Sequence, residues 1–202
     1  FKKIKYFGSF WGMSKLKKFD LGNNPTLECV FLKNVDVEDD TIFENLNEIN
    51  VSKCKNLRVI DIEQAGEKFT ELDLSSNDKL NSLGLEGLRG LKQLKMPETD
   101  NLKEIVVKET ALESLALEKY TKLDKVCVGG NQFDILKINM EQKTEKDIEN
   151  MYLLFDNNLK VEFISSKSGI VPNIKRLDNH NLWAGIVFSN YVVTDYEIPE
   201  CW

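Results

Sequence analysis

The chain has 202 residues, 42% hydrophobic and 30% charged, with 27 basic against 33 acidic side chains and a net charge of −6. That is enough apolar material for one elongated domain, or for a domain plus a cap. The charges are interspersed, which argues against a nucleic-acid groove whose affinity would come from neutralised phosphates, and no run of about 18 apolar residues offers a membrane span.

The first residues, 1–15, read as an N-terminal cap. Lys2, Lys3, Lys5, Lys15, Lys17 and Lys18 are interleaved with Phe1, Tyr6, Phe7, Phe10 and Trp11. An amphipathic cap with solvated lysines accounts for this pattern better than a membrane or nucleic-acid surface does. The opening Phe1-Lys-Lys-Ile-Lys-Tyr6 lacks the apolar run of a targeting segment, so no intact signal is expected within these residues.

From Leu16 a repeat takes over. An apolar-x-x-apolar-x-apolar phrase begins at Phe69, Leu80, Leu91 and Leu102, and outward from there at Leu16, Leu27, Leu46, Leu57, Leu112, Leu123 and Ile135. Alternate starts mark a full turn of chain: Leu46, Phe69, Leu91, Leu112 and Ile135 follow one another by 23, 22, 21 and 23 residues. In an extended segment alternate side chains share a face, so the later apolar residues of each phrase point inward together. One turn cannot bury them, whereas stacked turns pair strand to strand at about 4.8 Å and line the leucines into internal columns.

A period of 20–29 residues with Leu-x-x-Leu-x-Leu resembles that of leucine-rich repeat proteins. These place Asn, Cys or Thr three residues after the strand's last apolar residue, pointing inward to satisfy the turn. Here that position holds Asn24, Cys54, Asn77 and Thr99, with Tyr120 departing and predicting a looser turn. The other series has Ala65, Leu88 and Thr110 there. The first series is therefore expected to form the concave parallel sheet, and the second the convex wall. Ile105-Val-Val, Val126-Cys-Val and Val59-Ile-Asp-Ile predict extended convex segments and few helices. The resulting fold class is a leucine-rich repeat solenoid, a right-handed α/β or mostly-β coil, over residues 16–143. The tandem 11-residue style, as in Leu72-Asp-Leu-Ser-Ser-Asn77, resembles the repeats of bacterial surface and secreted proteins, including internalin-like ones.

Leu16 to Leu46 is longer than one turn, and the surplus falls in Val35–Asn45, where Asp36, Asp39 or Asp40 suits the cap of a short helix. As a surface insertion it is structurally neutral; as a rim loop it would help to select a ligand. After Ile135 the period stops, and residues 144–202 read as a small α+β C-terminal cap. Thr144-Glu-Lys-Asp147 resembles a helix start, with Ile148, Met151, Tyr152 and Phe155 at helical spacing. Leu159–Ile164 alternates as a strand, and Leu182–Val193 is a second extended apolar stretch. The aromatics Trp183, Phe188, Tyr191, Tyr196 and Trp202 fit a core better than a binding platform.

Catalytic chemistry is not expected. His180 is the single histidine, and a pairing with Cys201 has no recognisable third group or oxyanion hole around it. Cys29, Cys54, Cys127 and Cys201 lack metal-ligand spacing. Cys29 and Cys127 fall on one wall four turns apart, about 19 Å, beyond disulfide reach. Gly84, Gly87 and Gly90 read as repeat turns, not a phosphate loop. Asp36, Glu38, Asp39 and Asp40 lack the alternation of a calcium loop. No cofactor or metal is expected.

The expected ligand surface is the outward row of the first series: Glu48 and Asn50, Glu71 and Asp73, Gln93 and Lys95, Ser114 and Lys137. Glu48, Glu71 and Asp73 would repel one another at strand spacing, which hints at a cationic ligand. The absence of exposed aromatics favours a protein or peptide over a sugar. On the other wall Phe31, Val59 and Val106 form a second patch or scattered exposure. The expectation is a non-enzymatic binding module, bacterial, secreted or on the cell surface. Its alternative is an intracellular or host-translocated effector or regulatory protein that binds through the C-terminal subdomain.

Overall fold

A computed structural model describes residues 4–9, 13–22, 24–33, 43–165 and 172–177. Fourteen strands and one helix are present among them. Along one wall run β1 (Tyr6–Ser9), β3 (Cys29–Leu32), β5 (Val59–Glu63), β7 (Ser82–Glu86), β9 (Glu104–Lys108), β10 (Lys125–Gly129), β12 (Tyr152–Asp156) and β14 (Ile174–Leu177), joined in that order into one eight-stranded parallel sheet. On the other wall, β2 (Lys18–Asp20) pairs with β4 (Glu48–Asn50), β6 (Glu71–Asp73) with β8 (Gln93–Lys95), and β11 (Ile135–Asn139) with β13 (Lys160–Ile164), all parallel. The chain is thus a parallel β-solenoid of about seven turns.

The continuous sheet is made by the second series of phrases, the one expected to be the convex wall, and the first series makes only two-stranded pairs. Local chemistry explains the difference. Strands β5, β7, β9 and β10 run five residues and carry the β-branched and leucine runs that suit a pleated surface. The strands β2, β4 and β6 are three residues long and end on an Asp or Asn. In each the carboxylate or amide oxygen accepts the N–H two residues on: Gly22 to Asp20, Ser52 to Asn50 and Ser75 to Asp73, at 2.8, 3.1 and 3.0 Å. Such a turn offers the backbone an alternative partner and stops the strand.

Inside the coil, Ile60 and Ile62, Leu83 and Leu85, Ile105 and Val107, and Val126 and Val128 point inward from successive strands and meet Leu72, Leu74, Leu115 and Leu117 from the other wall, all within one apolar cluster. The inward polar column is also present. Cys54 Sγ donates to the Leu21 carbonyl at 3.1 Å, and Asn77 Nδ2 donates to the carbonyls of Val51 and Cys54 at 3.1 Å each. Tyr120 is fully buried, its hydroxyl donating to the Pro97 carbonyl at 2.7 Å. Its turn is not looser: Tyr120 N donates to Leu117 O as Asn77 N does to Leu74 O. The phenol thus satisfies a carbonyl of the preceding turn, as the Asn77 amide does, though at a different position of that turn. Thr99, expected to fit, is half-buried and accepts from Asn101 Nδ2 instead.

At the far end of the sheet strands Gln64, Gly87, Glu109 and Gly130 stack with positive φ of 55, 68, 50 and 65°. This left-handed step turns the chain out of four of the eight sheet strands, falling one residue after β5, β7, β9 and β10. Gly90 serves a different need, since a Cβ there would lie 2.2 Å from the Glu67 carbonyl oxygen of the preceding turn. Gly84, read as a turn residue, lies instead inside β7.

Two expectations about the C-terminal part change. Thr144 does cap a helix, α1 (Glu145–Asn150), through a reciprocal bond with Asp147. The helix stops there, and Tyr152 and Phe155 belong to β12, not to a longer helix. The coil also does not end at Ile135, because β12, β13 and β14 extend it. Leu159–Ile164 holds the expected strand as β13. The helix expected over Val35–Asn45 and the stretch Leu182–Val193 lie outside the described residues, apart from Phe43–Asn45, where Phe43 bridges to Ala65.

Candidate functional site

Every residue expected at the ligand surface lies on the wall of short strands. Glu48, Glu71, Asp73, Gln93, Lys95, Ser114 and Lys137 are exposed, and Asn50 is half-exposed. Glu71 stands opposite Gln93 and Asp73 opposite Lys95 across β6 and β8, while Lys18 stands opposite Glu48 across β2 and β4. Ser114 lies outside any strand, in the segment whose Leu117 bridges to Ile138; Lys137 is on β11.

The electrostatics differ from the sequence expectation. The acidic row is balanced from within: Lys95 Nζ lies 2.5 Å from Glu71 and 3.4 Å from Asp73, and Lys18 Nζ lies 2.5 Å from Glu48. The hydrogen bond to Glu71 holds the Lys95 ammonium above its usual range. Bonds from the Ser75 hydroxyl and N–H, with Lys95 adding to them, hold the Asp73 carboxyl below its usual range. The repulsion that hinted at a cationic ligand is therefore relieved by lysines one strand away. Asp73 and Asn50 also have a structural task, the strand-ending turn, which the Asp-x-Ser and Asn-x-Ser spacing would have signalled.

The outer face of the eight-stranded sheet has the stronger electrostatics. Lys33, just after β3, pairs with Asp61 at 2.7 Å and Glu63 at 2.9 Å; Lys108 pairs with Glu86 at 3.1 Å, and Lys125 with Glu104 at 2.8 Å. Asp61 finds room because its neighbour across the ladder is Gly84, where a Cβ would meet its Oδ1 at 2.4 Å. Burial by itself would lower the Lys33 ammonium, but Asp61 and Glu63 outweigh it and raise the group. Glu63 is raised by burial, which exceeds the pull of Lys33. A cavity of about 40 Å³ opens between these groups and Val106, room for about one water molecule. Val59, expected on an exposed patch, is fully buried, and Phe31 and Val106 are half-buried.

Cys29, Cys54 and Cys127 are free and buried. Burial pushes Cys29 up to about 11 and Cys127 up to about 12, so neither is a thiolate at neutral pH. Cys29 on β3 and Cys127 on β10 are four strands apart in the sheet. His180 and Cys201 lie outside the described residues. Among the described residues no group of three His, Cys, Asp or Glu side chains could hold a metal ion, and no helix is long and apolar enough to cross a membrane.

The described fold defines the class, a parallel β-solenoid repeat protein. A scan against models of known protein families finds none that matches the chain, and no characterised protein matches it in sequence.

Proposed function

We propose that this protein is a non-enzymatic recognition module of the leucine-rich repeat type, resembling bacterial surface or secreted proteins, that binds a protein or peptide across the wall of short strands. The observation that carries this reading is the row Glu48, Glu71, Asp73, Gln93, Lys95, Ser114 and Lys137. These side chains are exposed and, apart from Ser114, mounted on strands whose inward residues pack against one core. A rigid array loses little entropy on binding. Paired charges of both signs suit a partner that exchanges ion pairs with the row, rather than a purely cationic one. Exposed pairs add little stability of their own, so they are free to rearrange.

The test compares partner capture by the native chain with capture by Glu71→Lys/Asp73→Lys, by Lys95→Glu, and by Lys103→Glu, the last altering an exposed residue at the edge of the other wall. Loss with the first two and retention with the third, at equal melting temperatures, supports the reading. A partner bound equally by all four proteins places recognition elsewhere.

A further inference from the structure

Lys33, the residue after β3, reaches two carboxylates of the next strand. Its Nζ lies 2.7 Å from Asp61 Oδ2 and 2.9 Å from Glu63 Oε1, and the three side chains are only 13%, 7% and 25% exposed. Asp61 has Phe31 opposite it on one side of the ladder and Gly84 on the other. Glu86, opposite Glu63, is engaged by Lys108 at 3.1 Å. The wall of short strands carries a trio of matching charges, Lys95 with Glu71 and Asp73, but there all three side chains are exposed. The two trios differ in their access to water.

We propose that Lys33 and Asp61 condense into an isopeptide bond that staples the end of β3 to β5, with Glu63 as the proton carrier. The ammonium passes a proton to Glu63, and the freed amine attacks the Asp61 carboxyl carbon. The Nζ–Cγ bond forms and the bond from Cγ to one carboxylate oxygen breaks. Nζ gives up two protons through Glu63, the departing oxygen takes both and leaves as water, and Glu63 ends as it began. An ammonium and a carboxylate thus become an amide and a water, with nothing oxidised or reduced. The small cavity lined by Lys33, Asp61 and Glu63 has room for that water. In the resting trio Lys33 keeps its proton, so attack draws on the form in which Glu63 holds it, a form that the burial of Glu63 favours. In open water such a pair stays ionised, because both groups are well solvated. Here the strand register keeps amine and carboxyl in contact, which acts as a high effective concentration, and condensation removes two buried charges that are costly to desolvate. Lys95 lacks the second advantage. Effects of pH and of substitution on the ion pair belong to the uncondensed form, which a freshly refolded chain contains.

Mass spectrometry of the unfolded full chain reads the bond. The native chain, refolded and aged at neutral pH, is expected to weigh one water less than its sequence. Digestion should then yield a branched peptide joining Lys33 to Asp61, and none joining Lys95 to Glu71 or Asp73. Lys33→Arg and Asp61→Ala should keep the full mass, and Glu63→Gln should lose water at least about tenfold more slowly. A native chain that keeps its full mass overturns the proposal. So does a water lost within a linear peptide, the mark of a cyclic imide at an Asp or Asn. Closure of Glu63→Gln at the native rate refutes the proton carrier. The deciding mass is the native chain's, so a variant that does not fold leaves the result standing.

Discussion

Asn77 shows how much one side chain does in a solenoid. Its Nδ2 satisfies two carbonyls of the preceding turn in a fully buried site, and its Oδ1 has no hydrogen-bond partner among the described residues. Tyr120 satisfies a single carbonyl and fills its column with a ring. Asn77→Ala strips both acceptors of their donor and is expected to cost about 2–3 kcal/mol, whereas Tyr120→Phe keeps the packing and should cost about 1 kcal/mol. Urea unfolding of the two variants checks the order; equal losses would mean that packing, not bonding, sets the column. At this scale Asn77 and Cys54 were legible from the repeat phase. Tyr120 was not, because its role depends on the distance from its ring to a carbonyl one turn away.

Among elements, the ion-paired edge of β3, β5 and β7 sets a pH dependence. Lys33 is raised above its ordinary 10.5, so its contribution is complete below that value and is lost as the pH climbs through the folded one. Glu63 has the opposite sign. Its carboxyl is raised above 4.5, so the folded form takes up the proton first, and the fold gains from this group as the pH falls through the raised value to 4.5. Glu63→Gln removes that dependence. The variant is expected to be the more stable protein at pH 7, with its advantage shrinking toward pH 4.5 in urea midpoints. An advantage that grows on acidification would contradict the assignment. None of this was readable in sequence, since Lys33, Asp61 and Glu63 meet only through the register of two strands.

Across the whole molecule, one apolar cluster runs from Leu21 to Leu159, and each turn depends on its neighbours. About seven turns sharing one core should unfold together. Leu72→Ala, at a fully buried position in a middle turn, is expected to cost about 2–5 kcal/mol. It should also lower the protection of β3 and β10 amides by the same factor in hydrogen exchange. Independent loss of β10 protection would show that the coil unfolds in segments.

The 11-residue phrasing by itself determined that this chain coils, which residues point inward and where most turns fall, because burial of alternate apolar residues leaves a stacked array few other solutions. Tertiary structure showed which wall becomes the continuous sheet, although the Asp-x-Ser and Asn-x-Ser spacing already marks where the short strands stop. Both series carry the same apolar phrase, and the choice rests on side chains such as Asp73 accepting a backbone N–H that would otherwise prolong the strand. It also decided that Lys95 and Lys18 balance the acidic row, and that β12 and β14 prolong the coil past Ile135. Unlike the local Asp73 turn, the lysine pairings and the β12 and β14 pairings join residues about a turn or more apart in the chain, a separation at which periodicity shows that two side chains share a wall but not what they do there.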